Sequence, residues 1–338
     1  MQTYDNVRSQ VGEKMSTKHR VLELLEAQRG ESFSGERLAG ILGVSRNAVW
    51  KAVKELQKDG YDIVAVTNKG YCLSDENDIV SVPGIKPFLS EKSQPFVNQI
   101  HIYKSLESTN KTAKEMAVSG AAHGTVVITD SQAMGRGRYS RNFFSPPGGV
   151  YLSFILRPEG LRVENPTAVT AFAAVAVCEA IESVTQKVSE IKWVNDIFLD
   201  GKKVCGILTE AVTDFESGGL DWIVLGIGLN VSIRTEEFPD DLQSRATSLY
   251  PEEKKPGVRN QLAAEILNRV LGFKTPPQEA EIFEAYKKRL MVLGMKITVF
   301  QNQEEFGATA MDIDSAGHLL VKKENGEIIA LASGEIRI

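Results

Sequence analysis

Between residues 15 and 74, apolar positions repeat at helical spacing in three short runs. Serines can cap the starts of the second and third predicted helices, and glycines follow the ends of both. Two short apolar runs around Asn68-Lys69-Gly70 then predict a β-hairpin. Helix, helix, tight turn, helix and hairpin is the order of a winged helix-turn-helix domain. The residues that carry this pattern are Val21, Leu24 and Leu25; Ser34, Leu38, Ile41, Leu42 and Gly43; and Ser45, Val49, Val53, Leu56 and Gly60.

The start and the outer face of the third predicted helix carry the side chains that suit DNA. Hydroxyl, amide and basic groups at such a helix contact phosphates and major-groove base edges. Residues 15–74 hold nine basic and seven acidic residues, on a chain whose net charge is −5. The alternative is a small dimerisation or lid module with a solvated basic face. The candidate DNA contacts are Ser45, Arg46, Asn47, Trp50, Lys51 and Lys54, with Lys69 in the hairpin.

From about residue 100 to 271, predicted strands and helices mix without a regular βαβ repeat. Several strands follow one another through tight turns, which predicts a mixed or antiparallel sheet and counts against a doubly wound fold. The apolar run from Thr167 to Cys178 is too short for a membrane span and predicts a buried core helix. The predicted strands are 126–129, 150–156, 191–199, 204–209 and 222–231, and the predicted helices are 108–116, 166–184 and 257–271.

The last part of the chain differs from the middle. From Val292 onward, short apolar runs alternate with turns at Gly307, Gly317 and Gly326, which predicts a small SH3-like β-barrel. The polar, turn-rich stretch 74–87 predicts the first domain boundary. We therefore expect an α+β multidomain chain with a tail at 1–14 and domains at 15–74, 75–290 and 291–338.

Composition excludes several classes of protein. With 42% hydrophobic and 25% charged residues among 338, the chain can bury a core and is not disordered. Its three cysteines are far apart and its four histidines form no metal-binding cluster, so no disulfide scaffold and no protein-bound metal are expected. No apolar signal segment is visible near the N-terminus, and we expect a cytoplasmic protein without a membrane span.

Glycines and arginines alternate in the loop after the strand at 126–129. The segment from Gln132 through Gly135, Arg136, Gly137 and Arg138 lets the backbone approach a ligand while guanidinium groups reach its phosphates. It is neither a Walker A loop nor a dinucleotide-binding fingerprint. An exposed basic loop without a ligand is the alternative interpretation.

A second group of polar residues surrounds the predicted hairpin at Asp200-Gly201. A two-residue turn there would place Asn195 opposite Gly206 and Lys203 opposite Phe198. Asn195 would then have room above Gly206 for a ligand, and Lys203 would project its ammonium group from the start of a strand. An ordinary edge hairpin with a solvated lysine is the alternative.

Two further polar groups interrupt otherwise apolar elements. Gly226 and Gly228 lie in a predicted strand, where glycines often mark the close approach of a ligand, and Asn230 follows them. Ser108, Thr109 and Asn110 stand at the predicted start of a helix, where free N–H groups favour an anion or a carbonyl. Plain capping of that helix by Ser108 or Thr109 would explain the second group equally well.

Together these groups offer cations, amides, hydroxyls and open backbone, without a nucleophilic Ser–His pair or a GxSxG elbow. Such a set suits a reaction in which the substrates supply both nucleophile and electrophile, and the protein positions them and neutralises phosphate charge. Nucleotidyl transfer to a carboxylate fits this description.

The motifs resemble those of the biotin protein ligase family, and the whole chain resembles its bifunctional members, which also act as operon repressors. The resemblance covers about residues 15–338 and rests on Ser-Thr-Asn at 108–110, Gln-x-x-Gly-Arg-Gly-Arg at 132–138, Lys-Trp-x-Asn-Asp at 192–196 and Lys-x-x-Gly-Ile-Leu at 203–208. Two positions depart from the family pattern: Val194 stands where proline is usual, and Phe143 where tryptophan is common. We expect the second change to alter affinity rather than to abolish activity.

The resemblance implies a class II synthetase-like ligase domain and a two-step reaction. Biotin and ATP, with Mg²⁺, would give biotinyl-5′-adenylate, and the biotin would then pass to a lysine of the biotin carboxyl carrier protein of acetyl-CoA carboxylase. Arg136 and Lys203 are the implied catalytic residues. The implied biotin contacts are Ser108, Thr109, Asn110, Gln132, Gly135, Arg136, Gly137, Arg138, Lys203 and Gly206, and the implied nucleotide contacts are Arg138, Arg141, Phe143, Asn195 and Asn230.

The same resemblance implies a homodimer that forms when the adenylate is bound and places two winged helices on operator DNA of biotin genes. Three alternatives stay open. The chain could be a ligase whose winged helix no longer recognises an operator, or a ligand-sensing repressor without ligase activity. A lipoate ligase shares the fold and the chemistry, but its usual architecture lacks the N-terminal winged helix.

Overall fold

The computed structural model describes residues 16–66, 69–157, 166–213, 220–272, 278–301 and 304–338. The predicted tail and Asn68 of the predicted hairpin turn lie outside these ranges. The chain forms two compact units, the first ending at Pro87 and the second beginning at Phe88. The first unit therefore extends past residue 74, because the short helix at 82–85 belongs to it.

The first unit has the predicted order of three helices and a hairpin. Ser34 and Ser45 each accept a hydrogen bond from a backbone N–H in the first turn of their helices, and Gly43 ends the second helix with φ 65°. The capping pattern read from the sequence is confirmed. The elements are α1 (Thr17–Ala27), α2 (Gly35–Leu42), α3 (Arg46–Lys58), β1 (Ile63–Val66), β2 (Gly70–Leu73) and α4 (Val82–Ile85).

The core of the first unit lies where the three helices meet the hairpin. Leu25, Leu38, Val49 and Leu73 are each fully buried. Gly70 begins β2 with φ 106°, and a Cβ at this position would lie 2.0 Å from the carbonyl oxygen of Phe33. The close approach of the backbone before α2 to the hairpin therefore requires glycine here.

The second unit is built on a seven-stranded mixed sheet, as the sequence predicted. Its strand order is β3-β4-β5-β9-β8-β7-β6; β3 and β4 are parallel, and all the other neighbours are antiparallel. The strands are β3 (Ile100–Tyr103), β4 (Thr125–Thr129), β5 (Gly149–Leu156), β6 (Glu190–Lys192), β7 (Asp196–Leu199), β8 (Lys202–Thr213) and β9 (Leu220–Asn230).

Helices cover both faces of this sheet. Asn110 on α5 lies against Gly226, whereas Thr170 on α6 approaches Thr209 to 2.7 Å on the opposite face. The helix α6 is long and apolar enough to cross a membrane by length and composition alone, but 67% of the relevant window is buried inside the protein. The predicted core helix is thus confirmed. The helices of this unit are α5 (Thr109–Val118), α6 (Pro166–Thr185), α7 (Asp240–Gln243), α8 (Val258–Leu271) and α9 (Glu279–Lys287).

The single strand predicted over 191–199 is wrong. The chain instead forms a hairpin in which β6 pairs with β7 and Lys192 faces Asp196. Residues 193–195 make the turn, and the Trp193–Val194 peptide bond is cis. The hydroxyl of Tyr286 donates to the carbonyl of Val194. A contact from α9 thus stabilises a turn that the local sequence does not predict.

The end of the chain forms a five-stranded antiparallel sheet in the order β13-β12-β11-β10-β14. The predicted run of short strands is therefore confirmed, but the predicted turn at Gly307 is wrong, because Gly307 lies inside a strand and pairs with Thr298. The indole of Trp193 donates to the carbonyl of Gly317, which joins this sheet to the turn between β6 and β7. The strands are β10 (Lys296–Gln301), β11 (Glu304–Ile313), β12 (Leu319–Lys323), β13 (Ile328–Leu331) and β14 (Glu335–Arg337).

An ion pair between a buried guanidinium and a partly exposed carboxylate joins α8 to the end of the central sheet and predicts an effect on stability. The guanidinium of Arg259 donates to Asp130 at 2.5 Å, and its side chain is only 8% exposed. Asp130→Ala should lower the free energy of unfolding by about 1.5–3 kcal/mol, because a buried guanidinium loses its charge-assisted hydrogen bond to this carboxylate. Urea denaturation of the full chain measures the change.

The matched control is Asp241→Ala, which removes the carboxylate that pairs with Arg245. Both side chains of that pair are more than two thirds exposed, so the change should be below about 1 kcal/mol. Equal effects of the two substitutions would contradict the structural role of the pair between Asp130 and Arg259.

Candidate active site

Three glycines leave one face of the central sheet open to side chains from other elements. Gly226 and Gly228 alternate along β9, and Gly206 lies beside Gly228 on β8. A Cβ at Gly226 would lie 2.0 Å from the amide oxygen of Asn110, and one at Gly228 would lie 2.4 Å from the ring of Phe143. The sequence suggested that these strand glycines mark the approach of a ligand; protein side chains take up that space instead.

A connected polar network lies at the start of α5. Thr109 donates its backbone N–H to Gln132 Oε1 at 2.8 Å, and its hydroxyl oxygen lies 2.7 Å from that of Ser153. Ser153 Oγ also lies 2.6 Å from Asn110 Oδ1. Ser108, Thr109, Asn110 and Ser153 are each at most 4% exposed. The predicted residues at 108–110 and Gln132 therefore meet in one buried polar pocket.

Simple helix capping does not account for this group. Ser108 occupies the N-cap position of α5, but its side chain makes no capping hydrogen bond. Its hydroxyl is therefore not engaged by the helix it precedes. The start of α5 combines the N-terminal end of a helix with buried hydroxyls, which suits a polar ligand group.

The glycine–arginine loop is folded back on itself beside this pocket. Phe143 donates its backbone N–H to Gly135 at 2.8 Å, and Gly137 donates to Arg141 at the same distance. A Cβ at Gly135 would lie 2.3 Å from the carbonyl of Phe143, so only glycine fits there. Arg136 is exposed, whereas Arg138 is half-buried. The loop thus presents one guanidinium to solvent and one to the site.

Lys203 lies over the sheet face formed by Gly206, Gly226 and Gly228, which we call the glycine face. The register predicted for its strand is correct only near the turn. Lys203 faces Phe198 as expected, but a bulge between Ile197 and Phe198 shifts the ladder by one residue. Asp196, not Asn195, therefore lies opposite Gly206. The Lys203 ammonium lies 2.6 Å from Asp196 Oδ1 and 5.9 Å from the centre of the Phe143 ring. Because β8 is an interior strand, this is not a solvated edge hairpin.

Asn195 belongs to the turn before β7 and contacts the neighbouring strand from there. Its amide donates to the carbonyl of Ile207 at 2.7 Å, and its side-chain oxygen accepts from Arg138 at 3.3 Å. Asn230 is 4% exposed and donates to Thr247, while its Oδ1 is buried without a hydrogen-bond partner. Among the described residues, Asn230 Oδ1 is thus an acceptor left for a ligand at the end of β9.

Arg141 contacts the C-terminal sheet. Its guanidinium forms an ion pair with Glu335 on β14, which holds the pKa of that carboxyl below its usual value. The expected nucleotide contact by Arg141 therefore requires this arginine to exchange or share its carboxylate partner. Lys192 lies nearby with its pKa lowered, chiefly because it is buried.

Sequence reasoning missed three polar residues that belong to the site, Ser145, Ser153 and Glu210, and it placed Asp196 in a motif without giving it a role. Ser153 is the single polar residue between Tyr151 and Leu156 in a fully buried strand, a pattern that could have identified it. Glu210 likewise interrupts an apolar stretch of β8. Its carboxylate accepts from Asn110 and from Lys114, each at 2.8 Å.

The cysteines take no part in this arrangement. Burial raises the pKa of Cys178 to about 11 and holds the pKa of Cys205 well above its usual value, so both thiols stay protonated and poor nucleophiles. Among the described residues, no group of three or more His, Cys, Asp or Glu side chains is placed to hold a metal ion.

The first unit presents the predicted DNA-binding residues on its surface. Arg46, Asn47, Trp50, Lys51, Lys54 and Lys69 are all exposed, with 48% of Trp50 accessible. Ser45 differs, because its hydroxyl accepts the N–H of Ala48 and caps α3. A surface groove between α3 and the hairpin is lined by Arg46, Asn47, Trp50, Ala65, Gly70 and Tyr71. An exposed tryptophan beside cations suits nucleic acid better than a solvated face.

Comparisons with known proteins agree with this arrangement. Family models match residues 17–72 (HTH domain), 102–230 (Biotin/lipoate A/B protein ligase family) and 292–338 (Biotin protein ligase C terminal domain). A solved biotin protein ligase from Aquifex aeolicus, in complex with biotin and ATP, has 28% identity and a TM-score of 0.59, over 70% of this chain and 97% of that one.

Curated relatives match almost end to end. The bifunctional ligase/repressor BirA of Bacillus subtilis (strain 168) is 34% identical over 313 residues, which cover 90% of this chain and 94% of that protein. Its counterpart in Escherichia coli (strain K12) is 27% identical over 319 residues, or 91% and 94% of the two chains. The chain therefore belongs to the family of bifunctional biotin ligase/repressor proteins.

Proposed function

We propose that this protein is an ATP-dependent biotin protein ligase that also represses transcription of biotin genes. The observation that carries the ligase function is the meeting of Lys203, the Arg138 guanidinium and the polar pocket at the start of α5 on one glycine-lined sheet face. Cations for a phosphate and hydroxyls for a neutral polar ring stand side by side there. Family membership supplies the identity of the ligands, biotin and ATP.

In the first step, a carboxylate oxygen of biotin attacks the α-phosphorus of ATP, which enters with Mg²⁺ as its usual counter-ion. The bond from that phosphorus to the bridging oxygen breaks, and pyrophosphate leaves. Two anions must meet, so cations at their point of contact lower the barrier. Lys203 and Arg136 supply that charge, and Asp196 holds the Lys203 ammonium over Gly206.

The remaining predicted residues bind the two ends of the adenylate. Biotin contacts Ser108, Thr109, Asn110 and Gln132 at the pocket, and the loop of Gly135, Gly137 and Arg138 closes over its carboxyl group. The nucleotide lies against Phe143, whose aromatic ring offers a stacking partner for an adenine. Arg138, Arg141, Asn195 and Asn230 complete the nucleotide site, the last through its unpartnered Oδ1.

In the second step, the amine of a lysine on a biotin carboxyl carrier protein attacks the carbonyl carbon of the mixed anhydride. The carbon–oxygen bond to phosphate breaks, AMP leaves, and an amide forms with loss of a proton from the nitrogen. The protein contributes position and shielding from water, since both reacting groups come from the substrates.

One experiment separates the candidate functions. The purified chain is mixed with biotin, MgATP and a biotin carboxyl carrier domain, and pyrophosphate release and the carrier's mass are followed. Pyrophosphate together with a mass gain of one biotin is the expected result. Biotin binding without either signal would make the protein a sensor–repressor, and a lipoyl mass gain in a parallel reaction would make it a lipoate ligase.

Repression of transcription is the function we propose for the first unit, through its binding to operator DNA. Adenylate binding orders the loops around the site and favours a homodimer, which places two α3 helices on a two-fold operator. The DNA contacts are Arg46, Asn47, Trp50, Lys51, Lys54 and Lys69. A ligase whose winged helix recognises no operator is the alternative, and DNA binding to the region upstream of biotin genes distinguishes the two.

Finer features of organisation also stay predictions. We keep a first domain boundary within the stretch 74–87, at the end of which the first unit ends, and a second near residue 290. We also keep a class II synthetase-like relationship for the central sheet and an SH3-like closure of the C-terminal sheet. The absence of a tightly bound metal and a cytoplasmic location rest on the sequence alone. The result of the ligase assay bears on none of these features.

Replacing Lys203 tests the proposed charge stabilisation. Lys203→Ala should slow adenylate formation by about 10²–10³-fold, the usual loss for one charge-stabilising donor. Pyrophosphate release in single turnover measures the rate. Lys202→Ala is the matched control, because the neighbouring ammonium reaches Gln243 instead of the site; a rate for Lys203→Ala within a few-fold of this control would refute the role.

Replacing Arg136 tests retention of the intermediate. Arg136→Gly should release biotinyl-5′-adenylate faster than the wild-type protein, because the loop loses its anchor to the phosphate. Trapping the released adenylate with a bystander amine, without carrier protein, measures the leak. Arg136→Lys should lie between the two, and equal retention by all three proteins would contradict the anchoring role.

Salt dependence tests the DNA surface. The affinity for operator DNA should fall steeply with salt, and Arg46→Ala and Lys51→Ala should each reduce the log–log slope by about one if each contacts a phosphate. Gel-shift titrations over a series of salt concentrations measure the slopes. Lys322→Ala, in an exposed position on β12, is the control and should leave the slope unchanged.

A further inference from the structure

The turn between β6 and β7 leads into both polar residues that hold cations of the proposed site. Asn195 ends the turn and accepts from Arg138 at 3.3 Å, and Asp196 begins β7 and lies 2.6 Å from the Lys203 ammonium. The strand before the turn, β6, is an edge strand, and only three residue pairs join it to β7. So short a ladder fixes the turn weakly, and its geometry depends on contacts from other elements.

One set of contacts comes from the chain just after α9. The backbone N–H of Ile191 donates to the carbonyl of Arg289 at 2.8 Å, and the N–H of Met291 donates to the carbonyl of Ile191 at 3.0 Å. These two hydrogen bonds make a parallel bridge between Ile191 and Leu290 on the outer side of β6. They hold the strand, but they end two residues before the turn begins.

Tyr286 is the residue of α9 that reaches the turn itself. Its hydroxyl donates to the carbonyl oxygen of Val194 at 2.9 Å, and the residue is only 1% exposed. Burial, with a further contribution from the charge of Asp196, raises the pKa of Tyr286 well above its usual value. The hydroxyl therefore keeps its hydrogen at neutral pH and remains a donor to the middle residue of the turn.

The first residue of the turn is held as well. The indole of Trp193 donates to the carbonyl of Gly317 at 3.3 Å. Gly317 in turn packs on α9, since a Cβ at this position would lie 2.4 Å from the ring of Phe283. Contacts involving α9 thus fix the first two residues of the turn, and the third residue is the one that contacts Arg138.

We propose that Tyr286 is a positioning residue for adenylate formation, because its hydrogen bond to Val194 fixes the turn that leads into both cation-holding residues. Through this turn it places the ammonium of Lys203 and the guanidinium of Arg138. The inference rests on the proposed function, in which Lys203 neutralises the reacting anions and Arg138 contacts the adenylate. Tyr286 is covered by protein and touches neither substrate.

A purely structural role for Tyr286 predicts a different result. If its hydroxyl only stabilised the fold, its loss would lower the free energy of unfolding and leave the chemistry of the folded protein unchanged. If it positions the cations, the folded protein itself reacts more slowly, because charge that is not held in place before the reaction stabilises the transition state less.

The test is Tyr286→Phe, which removes the hydroxyl and keeps the ring. Single-turnover pyrophosphate release by the full-length chain measures adenylate formation at a series of biotin concentrations with saturating MgATP. The maximal rate should fall about ten-fold, the effect of one lost buried hydrogen bond. The biotin concentration that gives half of this rate should stay within about three-fold of wild type, because the proposed biotin contacts at the start of α5 belong to another element.

The matched control is Tyr61→Phe, which removes a tyrosine hydroxyl from the first unit. Tyr61 is half-buried and makes a side-chain hydrogen bond with Ser81. Its loss should lower stability and leave the rate of adenylate formation within about two-fold of wild type.

Fluorine NMR of the chain labelled with fluorotryptophan reports on the turn directly. Trp193 is one of three tryptophans, and the loss of its signal in Trp193→Phe identifies it. In Tyr286→Phe the Trp193 signal should shift or broaden, whereas the signals of Trp50 and Trp222 should stay in place. In Tyr61→Phe the Trp193 signal should be unchanged.

The outcomes separate this inference from the proposed function. A wild-type chain without biotin-dependent pyrophosphate release would overturn the proposed function. An active wild type with a Tyr286→Phe rate within two-fold of it would overturn the inference alone, and so would equal slowing by Tyr61→Phe. Thermal unfolding shows which variants are folded at the assay temperature. If Tyr286→Phe is not, the same rate criterion applies to Trp193→Phe, which removes the other donor that holds this turn.

Discussion

The absence of side chains at Gly206, Gly226 and Gly228 is the constraint on which the site depends. These positions lie in the middle of a sheet whose neighbouring residues are Ile, Leu and Val, where a Cβ would ordinarily help packing. Each glycine removes a small volume, and a polar or aromatic side chain from another element enters it. The sheet thereby accepts Asn110 and Phe143 at van der Waals distance and supports them rigidly.

Rigid support matters because the proposed chemistry uses no nucleophile from the protein. When both reacting groups belong to substrates, the rate depends on their orientation and on charge held in place before the reaction. Lys203 is held over the glycine face by Asp196, and Arg138 by Asn195. Both contacts come from the short hairpin at 190–199, so one local feature positions cations from two separate segments.

The site is also connected to the C-terminal sheet. Glu335 pairs with Arg141 from the glycine–arginine loop, and Gly317 accepts from Trp193 in the hairpin turn. The sheet made by the last strands therefore contacts the glycine–arginine loop and the hairpin turn next to Asp196. A small sheet with little core of its own gains stability from this packing, and the loop gains a fixed partner.

The sequence by itself determined the order of the elements in the first unit, the caps of α2 and α3, the mixed character of the central sheet and the motifs at 108–110, 132–138 and 203–208. These are local properties, because periodicity, caps and glycines act within a few residues. Only the tertiary structure decided that residues 193–195 form a turn, that Asp196 lies opposite Gly206, and that Ser153 and Glu210 join the pocket. Those outcomes depend on Tyr286, on a bulge and on contacts between strands distant in sequence, which no short stretch of residues encodes.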